Sequence, residues 1–162
     1  MSPTSFSPDV REFMRLLAAN FVRFLVVGGE AVIYHGYARL TGDVDIFYDP
    51  ASDNVRRLFA ALSAFWGGDI PSVASPDELA APGAVFMFGR PPNRLDLLNR
   101  IDGVAFDEAW ATRIPTALRV GDADVEVPYI GLDALLKNKR AAGRAKDQDD
   151  LAYLEAARVR KR

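Results

Sequence analysis

The stretch FLVVGGEAVIYHGYARLTGDVDIFY, residues 24–48, decides the fold that we expect for this chain. Its first four residues, 24–27, are all apolar and predict a buried strand. The pair Gly28-Gly29 then predicts a tight turn, and residues 30–37 predict a short helix. Residues 44–48 are mostly apolar again and predict a second strand. The rest of the chain is expected to be arranged around this strand, turn, helix and strand.

Two carboxylates, Asp43 and Asp45, stand at the start of the second strand with one residue between them. Side chains two apart on a strand point to the same face, with Cα atoms ~6.5–7 Å apart. Carboxylates this close repel each other unless a cation lies between them, and Mg²⁺ takes oxygen ligands. Gly28-Gly29 at a helix N-terminus offers free backbone N–H groups to a phosphate. Each pattern alone is also typical of solvated turns, so their order along the chain is what indicates a metal and phosphate site.

With these features in order, the stretch resembles the nucleotidyltransferase superfamily that includes DNA polymerase β and the kanamycin and tRNA nucleotidyltransferases. It is most similar to the small bacterial branch of abortive-infection and toxin–antitoxin nucleotidyltransferases. The residues that match this branch's pattern are Gly28, Gly29, Ala31, His35, Gly36, Arg39, Thr41, Asp43 and Asp45. The resemblance implies that Asp43 and Asp45 hold Mg²⁺, or Mn²⁺ in its place. It also implies nucleotide contacts from Gly28 and Gly29. Because Arg39 and Thr41 lead directly into the two acids, we interpret them as phosphate contacts or as residues that support the acids, and we interpret His35 as a structural hydrogen-bonding residue.

A third carboxylate is expected from a later strand. Residues 84–88 and 94–98 predict a hairpin, and Asp96 lies inside the apolar second strand of it. A lone charge there is unfavourable unless it is paired or metal-bound. Because the resemblance implies a third catalytic and metal-binding acid, we assign that role to Asp96. An Asp96 that faces solvent remains the alternative, and Asp102 is a weaker candidate in a turn.

Apolar residues at helical spacing predict two packing helices, carried by Val10, Phe13, Met14 and Leu17 in one and by Val55, Leu58, Phe59 and Leu62 in the other. Ser52 or Asp53 is expected to cap the second helix. Residues 106–113 predict a short helix, and residues 114–120 and 124–127 a second hairpin. We interpret the alternating acids of this hairpin as its solvent face rather than a metal site: Asp122, Asp124 and Glu126.

The C-terminal part predicts a pair of helices over about 131–159. Its run LLKNKRAAGRAKDQDDLAYL resembles the C-terminal signature of the same bacterial branch. That resemblance implies basic residues that face the nucleotide phosphates, and we choose Lys137 and Lys146. Asp147 is expected to cap the last helix or to orient a basic neighbour. The expected class is therefore α/β (α+β), a nucleotidyltransferase-like mixed β-sheet flanked by helices with a C-terminal helical pair.

Length and composition fit one domain over residues 1–162, with its core at about 8–128. The chain has no cysteine, which excludes disulfides, a thiolate zinc site and a thiol nucleophile. Its single histidine excludes a polyhistidine metal site within one chain. No apolar run approaches the ~18–20 residues of a membrane span. We therefore expect a cytoplasmic protein with no membrane partner.

The charge is unevenly distributed, because residues 137–162 contain nine Lys and Arg against four acids while the whole chain has a net charge of −2. A basic end on an acidic body suggests an edge that faces phosphate or RNA. The alternative interpretation is that these basic residues, the last five residues of the chain included, lie on ordinary solvated helix faces.

These observations predict an Mg²⁺-dependent nucleotidyltransferase that moves a nucleoside monophosphate from a triphosphate such as ATP to a hydroxyl. The acceptor is open among RNA such as tRNA, a protein and a small molecule. Since the chain has no room for a large acceptor-binding domain, a cognate partner protein or a second copy is expected to supply a large one, as in a toxin–antitoxin or phage-defence system. One alternative is a catalytically inactive nucleotide- or partner-binding member of the same fold. Another is an unrelated α/β protein whose acids lie on its surface.

Overall fold

The fold is a mixed six-stranded sheet flanked by helices, seen in a computed structural model that describes residues 6–37, 41–90 and 93–160. The strands are β1 (Phe24–Val27), β2 (Asp43–Tyr48), β3 (Val85–Phe88), β4 (Arg94–Leu98), β5 (Ile114–Val120) and β6 (Ala123–Tyr129). The helices are α1 (Pro8–Ala19), α2 (Gly28–Tyr34), α3 (Ser52–Phe65), α4 (Pro76–Leu79), α5 (Phe106–Ala111), α6 (Leu132–Ala142) and α7 (Ala145–Arg160). The predicted mixed α/β class with a C-terminal helical pair is confirmed.

The strands follow the order β3-β4-β2-β1-β6-β5 across the sheet. β1 is antiparallel to β2 and parallel to β6, while β2 is parallel to β4. The outer strands β3 and β5 are each antiparallel to their one neighbour. All four residues of β1 are buried, as its continuous apolar run predicts for a central strand. In the part of the chain that the structure describes, no helix has the length and apolarity needed to cross a membrane.

The first helix forms as its sequence predicts. The Ser7 hydroxyl accepts a hydrogen bond from the Val10 N–H at 3.3 Å, and Pro8 occupies the first turn. Both features are typical of helix N-termini, where backbone N–H groups lack partners within the helix. The predicted apolar stripe is buried: Val10, Phe13, Met14 and Leu17. α1 packs against α3 and against β6, which closes the core on the sheet face that it covers.

The predicted cap of α3 is wrong. The helix begins at Ser52, so Ala51 is the N-cap residue and no side-chain cap hydrogen bond forms. Ser52 and Asp53 lie inside the first turn instead. Asp53 forms ion pairs with Arg23 at 3.3 Å and with Arg57 at 2.9 Å. The Asp53 carboxylate thus pairs with two guanidinium groups and, among the described residues, accepts no hydrogen bond from the N–H groups of the helix terminus.

Element boundaries around the central unit differ slightly from the prediction. α2 begins at Gly28 rather than at residue 30 and ends at Tyr34. Gly28 has a φ of +65°, a left-handed conformation that reverses the chain between β1 and α2. β2 begins one residue early, at Asp43, because Asp43 already pairs with Arg94 of β4. The glycine pair therefore forms a strand-to-helix junction and not a separate turn.

Candidate metal centre and adjoining cleft

Three carboxylates meet on one face of the sheet. Asp43 and Asp45 lie two apart on β2, and Asp96 lies on the parallel neighbour β4, directly beside Asp45 in register. One oxygen from each of the three carboxylates lies within 4.8 Å of the others. Oxygen ligands at this spacing could hold a metal ion, and hard cations such as Mg²⁺ prefer such ligands. The structure thus brings together the three acids that the sequence singled out.

Gly28 makes room for one of these carboxylates. A Cβ added at residue 28 would lie 2.1 Å from Asp45 Oδ2 and 2.9 Å from Asp45 Cγ. No side chain fits at that distance, so the β1–α2 junction and the acid are complementary in shape. The glycine is needed for its φ and also for the space that it leaves to Asp45.

Burial and like charges raise the pKa values of two acids of the cluster. Burial, and then the charges of Asp43 and Asp96, raise the pKa of Asp45 to about 7, while Lys146 acts in the opposite direction. Burial also raises the pKa of Asp96, although hydrogen bonds from Arg94 oppose the shift. Grouped carboxylates hold protons tightly when nothing else neutralises them. A bound cation would remove this penalty, which is why the donor set fits a metal ion.

Arg94 partly neutralises the cluster. Its Nη2 lies 2.8 Å from Asp43 Oδ2 and 2.9 Å from Asp96 Oδ2, and its Nε donates to Asp96 Oδ1 at 2.9 Å. Arg94 is two residues before Asp96 on β4, and its register partner is Asp43. One planar guanidinium therefore holds two carboxylates in a fixed orientation. Within the described ranges no Lys or Arg forms an ion pair with Asp45.

Thr41 orients the first acid. Its hydroxyl lies 3.2 Å from the backbone oxygen of Asp43 and 3.5 Å from Asp43 Oδ1. Thr41 was predicted either to contact phosphate or to support the acids, and its contacts with Asp43 fit the second role. Arg39, the other residue chosen from this loop, lies outside the described residues. Gly29 is buried within α2.

A cleft of about 360 Å³ opens beside Asp45. Gly28 and Asp45 line one side of it, and three cationic residues, Arg100, Lys139 and Arg144, line it as well. One carboxylate of the candidate metal cluster, that of Asp45, thus borders the same space as cations that could meet phosphate. This arrangement suits a ligand that carries several negative charges together with a divalent cation.

Lys139 ties the two C-terminal helices together beneath this cleft. It is only 3% exposed, and its Nζ lies 3.0 Å from Asp147 Oδ1 and 3.2 Å from Asp150 Oδ2. Asp147 also accepts a hydrogen bond from Arg144 Nε at 2.6 Å. Burial alone would raise the pKa of Asp147, but the hydrogen bonds from Arg144 and Lys139 outweigh it and lower that pKa. Asp147 therefore orients basic neighbours, one of the two roles that the sequence suggested.

The two lysines chosen from the sequence lie in different surroundings. Neither lysine is among the residues that line the cleft. Lys137 is exposed and forms an ion pair with Glu108 at 2.6 Å. Lys146 is exposed too, but it lies close enough to Asp45 to lower the pKa of that carboxyl. The structure thus brings Lys146 towards the acids and leaves Lys137 at an exposed ion pair.

The remaining candidates have structural surroundings. His35 Nε2 donates to the Ile130 backbone oxygen at 2.9 Å. Asp102 is exposed in a turn at the rim of the cleft. The acids of the second hairpin are exposed, as predicted, and Asp124 pairs with Arg119 at 3.2 Å.

The predicted site lacks four residues of this region: Arg94, Arg100, Lys139 and Arg144. All but Arg100 carry a signal in the sequence, and Arg144 belongs to the basic C-terminal run. Arg94 alternates with Asp96 on the same strand, so the period of two that paired Asp43 with Asp45 also places Arg94 on that face. Lys139 continues the apolar stripe of α6 at helical spacing, where a buried lysine needs acidic partners. Arg100 follows β4 in a loop and carries no local signal.

The chain matches no protein-family model and no curated protein. The resemblance to nucleotidyltransferases therefore stays a prediction, and the functional argument rests on the geometry of the acids and the cleft.

Proposed function

We propose that this protein is a divalent-metal-dependent nucleotidyltransferase that moves a nucleoside monophosphate from a triphosphate to a hydroxyl. The observation that carries the proposal is the convergence of Asp43, Asp45 and Asp96, because Asp45 also lines a cleft whose lining includes several cationic side chains. Phosphoryl transfer depends on positioning and on charge neutralisation more than on covalent chemistry by the protein. Both requirements are met by this combination of residues.

In this proposal Asp43 and Asp45 would hold a divalent ion, Mg²⁺ or Mn²⁺, since one oxygen from each of their carboxylates and from that of Asp96 lies within 4.8 Å of the others. Such an ion would supply charge neutralisation at the phosphate oxygens. Arg100 and Arg144 bind the β- and γ-phosphates from the cleft, and Lys139 holds Arg144 in place through Asp147. Gly28 keeps its side of the cleft open, since it has no side chain.

The proposed transfer step is an in-line displacement at the α-phosphorus. The acceptor hydroxyl oxygen attacks the α-phosphorus in line, and the bond from the α-phosphorus to the oxygen that bridges it to the β-phosphate breaks. Pyrophosphate leaves with that bridging oxygen, and Asp96 accepts the hydroxyl proton. Arg94 orients the Asp96 carboxylate through two hydrogen bonds. The products are the nucleotidylated acceptor and pyrophosphate.

One observation favours a second candidate, a nucleotide-binding module without catalysis. Arg94 already pairs with Asp43 and Asp96, and structural ion-pair networks of this kind occur without any chemistry. Such a module binds a triphosphate but transfers nothing. A transfer assay therefore separates the two candidates once binding is established.

The test is calorimetric titration of each nucleoside triphosphate, with and without Mg²⁺, into wild type, Asp45→Asn and the control Asp124→Asn. Asp124 is an exposed carboxylate on β6, paired only with exposed Arg119 among the contacts described. We expect Mg²⁺-dependent binding to wild type and Asp124→Asn and none to Asp45→Asn. Absence of binding to well-folded wild type sinks the proposal. Transfer of α-labelled nucleotide to RNA or protein then distinguishes the enzyme from the binding module.

A further inference from the structure

Arg94 holds two acids of the candidate metal centre with unequal numbers of hydrogen bonds. It donates twice to Asp96, from Nε to Oδ1 and from Nη2 to Oδ2, both at 2.9 Å. It donates once to Asp43, from Nη2 to Oδ2 at 2.8 Å. Two parallel hydrogen bonds hold a guanidinium to a carboxylate more firmly than one does. The contact with Asp43 is therefore the one that another cation can replace while Arg94 stays on Asp96.

An ion in the cluster and Arg94 would compete for the Asp43 carboxylate. Arg94 contacts its Oδ2, and the Thr41 hydroxyl lies 3.5 Å from its Oδ1. Asp43 is also one of the three acids whose oxygens converge within 4.8 Å. A divalent ion bound there would share Asp43 with the guanidinium. Two cations on one carboxylate repel each other, and water screens this repulsion only partly in a half-buried site.

Arg94 can relieve this repulsion only by moving. An arginine stays charged in proteins, so the guanidinium does not lose a proton to make way for an ion. The Arg94 side chain is 32% exposed, which leaves it room to turn away from Asp43 towards solvent. Its paired hydrogen bonds with Asp96 limit how far it turns.

The cleft beside Asp45 adds further positive charge. Arg100 and Arg144 both line it. A bare divalent ion is repelled by these two groups as well as by Arg94. An ion that carries phosphate oxygens finds favourable partners in the same groups, because the phosphates are anionic and also serve as ligands to the ion. The charges of the site thus favour an ion that arrives together with phosphate.

We propose that Arg94 is the counter-ion of Asp43 in the nucleotide-free protein, and that a divalent ion displaces it from Asp43 when the ion enters together with nucleotide phosphates. Arg94 then remains on Asp96 as a positioning residue. The role of the nucleotide rests on the proposed function, whereas the competition between Arg94 and the ion stands without it. Arg94 therefore lowers the affinity of the nucleotide-free protein for a bare ion.

The test is titration of the nucleotide-free protein with Mn²⁺, with the unbound ion measured by electron paramagnetic resonance. The neutral variants are Arg94→Gln and Arg94→Met, and Arg94→Lys keeps the charge. The control is Arg119→Met, since Arg119 is exposed and pairs with exposed Asp124. We expect the neutral variants to bind Mn²⁺ about tenfold or more tightly than wild type, because a like charge has gone from the site. Arg94→Lys should stay within about threefold of wild type because it retains that charge, and Arg119→Met should match wild type.

A purely structural role of Arg94 predicts a change of opposite sign. If Arg94 only holds the acids in the orientation that an ion needs, its loss weakens Mn²⁺ binding. Weaker or unchanged binding by a folded neutral variant overturns the proposal, and so does equal tightening by Arg94→Lys or by Arg119→Met. Circular dichroism establishes which variants fold, and one folded neutral variant is sufficient for the comparison.

Nuclear magnetic resonance tests the role of the nucleotide on wild type itself. The Nε–H signal of Arg94 is assigned by its loss in Arg94→Lys. Mg²⁺ together with a nucleoside triphosphate should shift this signal, whereas the same concentration of Mg²⁺ alone should not. A shift by Mg²⁺ alone, or no shift when the complex binds, overturns the displacement of Arg94 by the nucleotide-bound ion. A wild type that binds no nucleoside triphosphate overturns the proposed function, and the Mn²⁺ titration still decides whether Arg94 competes with the ion.

Discussion

Gly28 and Asp45 are so close that a Cβ at residue 28 would fall 2.1 Å from Asp45 Oδ2. Gly28 begins α2 and Asp45 lies on β2. Any side chain at residue 28 would collide with the Asp45 carboxylate in its present orientation. The tight contact couples the conformation of the β1–α2 junction to the orientation of one carboxylate. Disturbing the glycine should therefore disturb the candidate metal centre directly.

We expect Gly28→Ala to lose metal binding and to destabilise the fold. The control is Gly121→Ala, because Gly121 has a similar φ of +58° but open space around its Cβ position. Gly121→Ala should lower the free energy of unfolding only by the ~1–2 kcal/mol that an alanine in a left-handed conformation costs. Chemical denaturation and Mn²⁺ titration measure both effects. Equal destabilisation of the two variants, with metal binding retained in both, would contradict the coupling.

The pKa of Asp45 predicts how stability depends on pH. Burial and its acidic neighbours raise this pKa from 3.8 to about 7 in the folded protein. Because the folded state then binds this proton more tightly than the unfolded chain, the contribution of Asp45 to stability falls as the pH rises from about 4 to about 7. In EDTA at about pH 8, Asp45→Asn should therefore be more stable than wild type, by a few kcal/mol at most since one pKa unit is ~1.4 kcal/mol.

Thermal melts from about pH 5 to about pH 8 check this expectation. The advantage of Asp45→Asn should shrink towards the acidic end, and saturating Mg²⁺ should stabilise wild type but not the variant. Asp124→Asn, at an exposed carboxylate, should show neither effect. A constant difference between wild type and Asp45→Asn across the whole range would argue against a raised pKa at Asp45.

The buried lysine of α6 should matter far more for stability than its exposed neighbour. Lys139→Met leaves Asp147 and Asp150 buried without the Lys139 ammonium that pairs with both. Removing one partner of a buried ionic group typically costs ~3–5 kcal/mol. Lys137→Met removes only the exposed pair with Glu108, worth ~0–1 kcal/mol. Urea denaturation measures the free energy of unfolding of both variants. Similar midpoints would contradict a larger stabilising role for Lys139 than for Lys137.

Arg144 should contribute to phosphate binding, whereas Arg140 should not. Arg144 lines the cleft and is oriented by Asp147, while Arg140 pairs with exposed Glu155 at 2.6 Å. Arg144→Met should weaken Mg²⁺–triphosphate binding about tenfold or more, the usual size of a lost charge-assisted hydrogen bond. Arg140→Met should leave it unchanged. Calorimetry measures the affinity of both variants for the Mg²⁺–triphosphate. An unchanged affinity of Arg144→Met would show that Arg144 does not bind phosphate.

Much of the local architecture was predictable from the sequence because it depends on periodicity. The apolar stripe of α1, the continuous apolar run of β1 and the alternation of Asp43 with Asp45 all follow from residue spacing within one element. Asp96 was identifiable for a related reason, since a lone charge in an apolar strand needs a partner. Element ends were less predictable, as the start of α2 at Gly28 and the cap of α3 show.

Only the tertiary structure decided which charged groups meet. The sequence by itself determined that Asp43 and Asp45 share a face, because a strand repeats every two residues. Strand order places Asp96 beside Asp45 and lets Arg94 contact two of the acids. Helix packing brings Lys139 to its partners Asp147 and Asp150. These contacts join residues far apart in the chain, and the free energy of an ion pair depends on burial and on partners that no local pattern encodes.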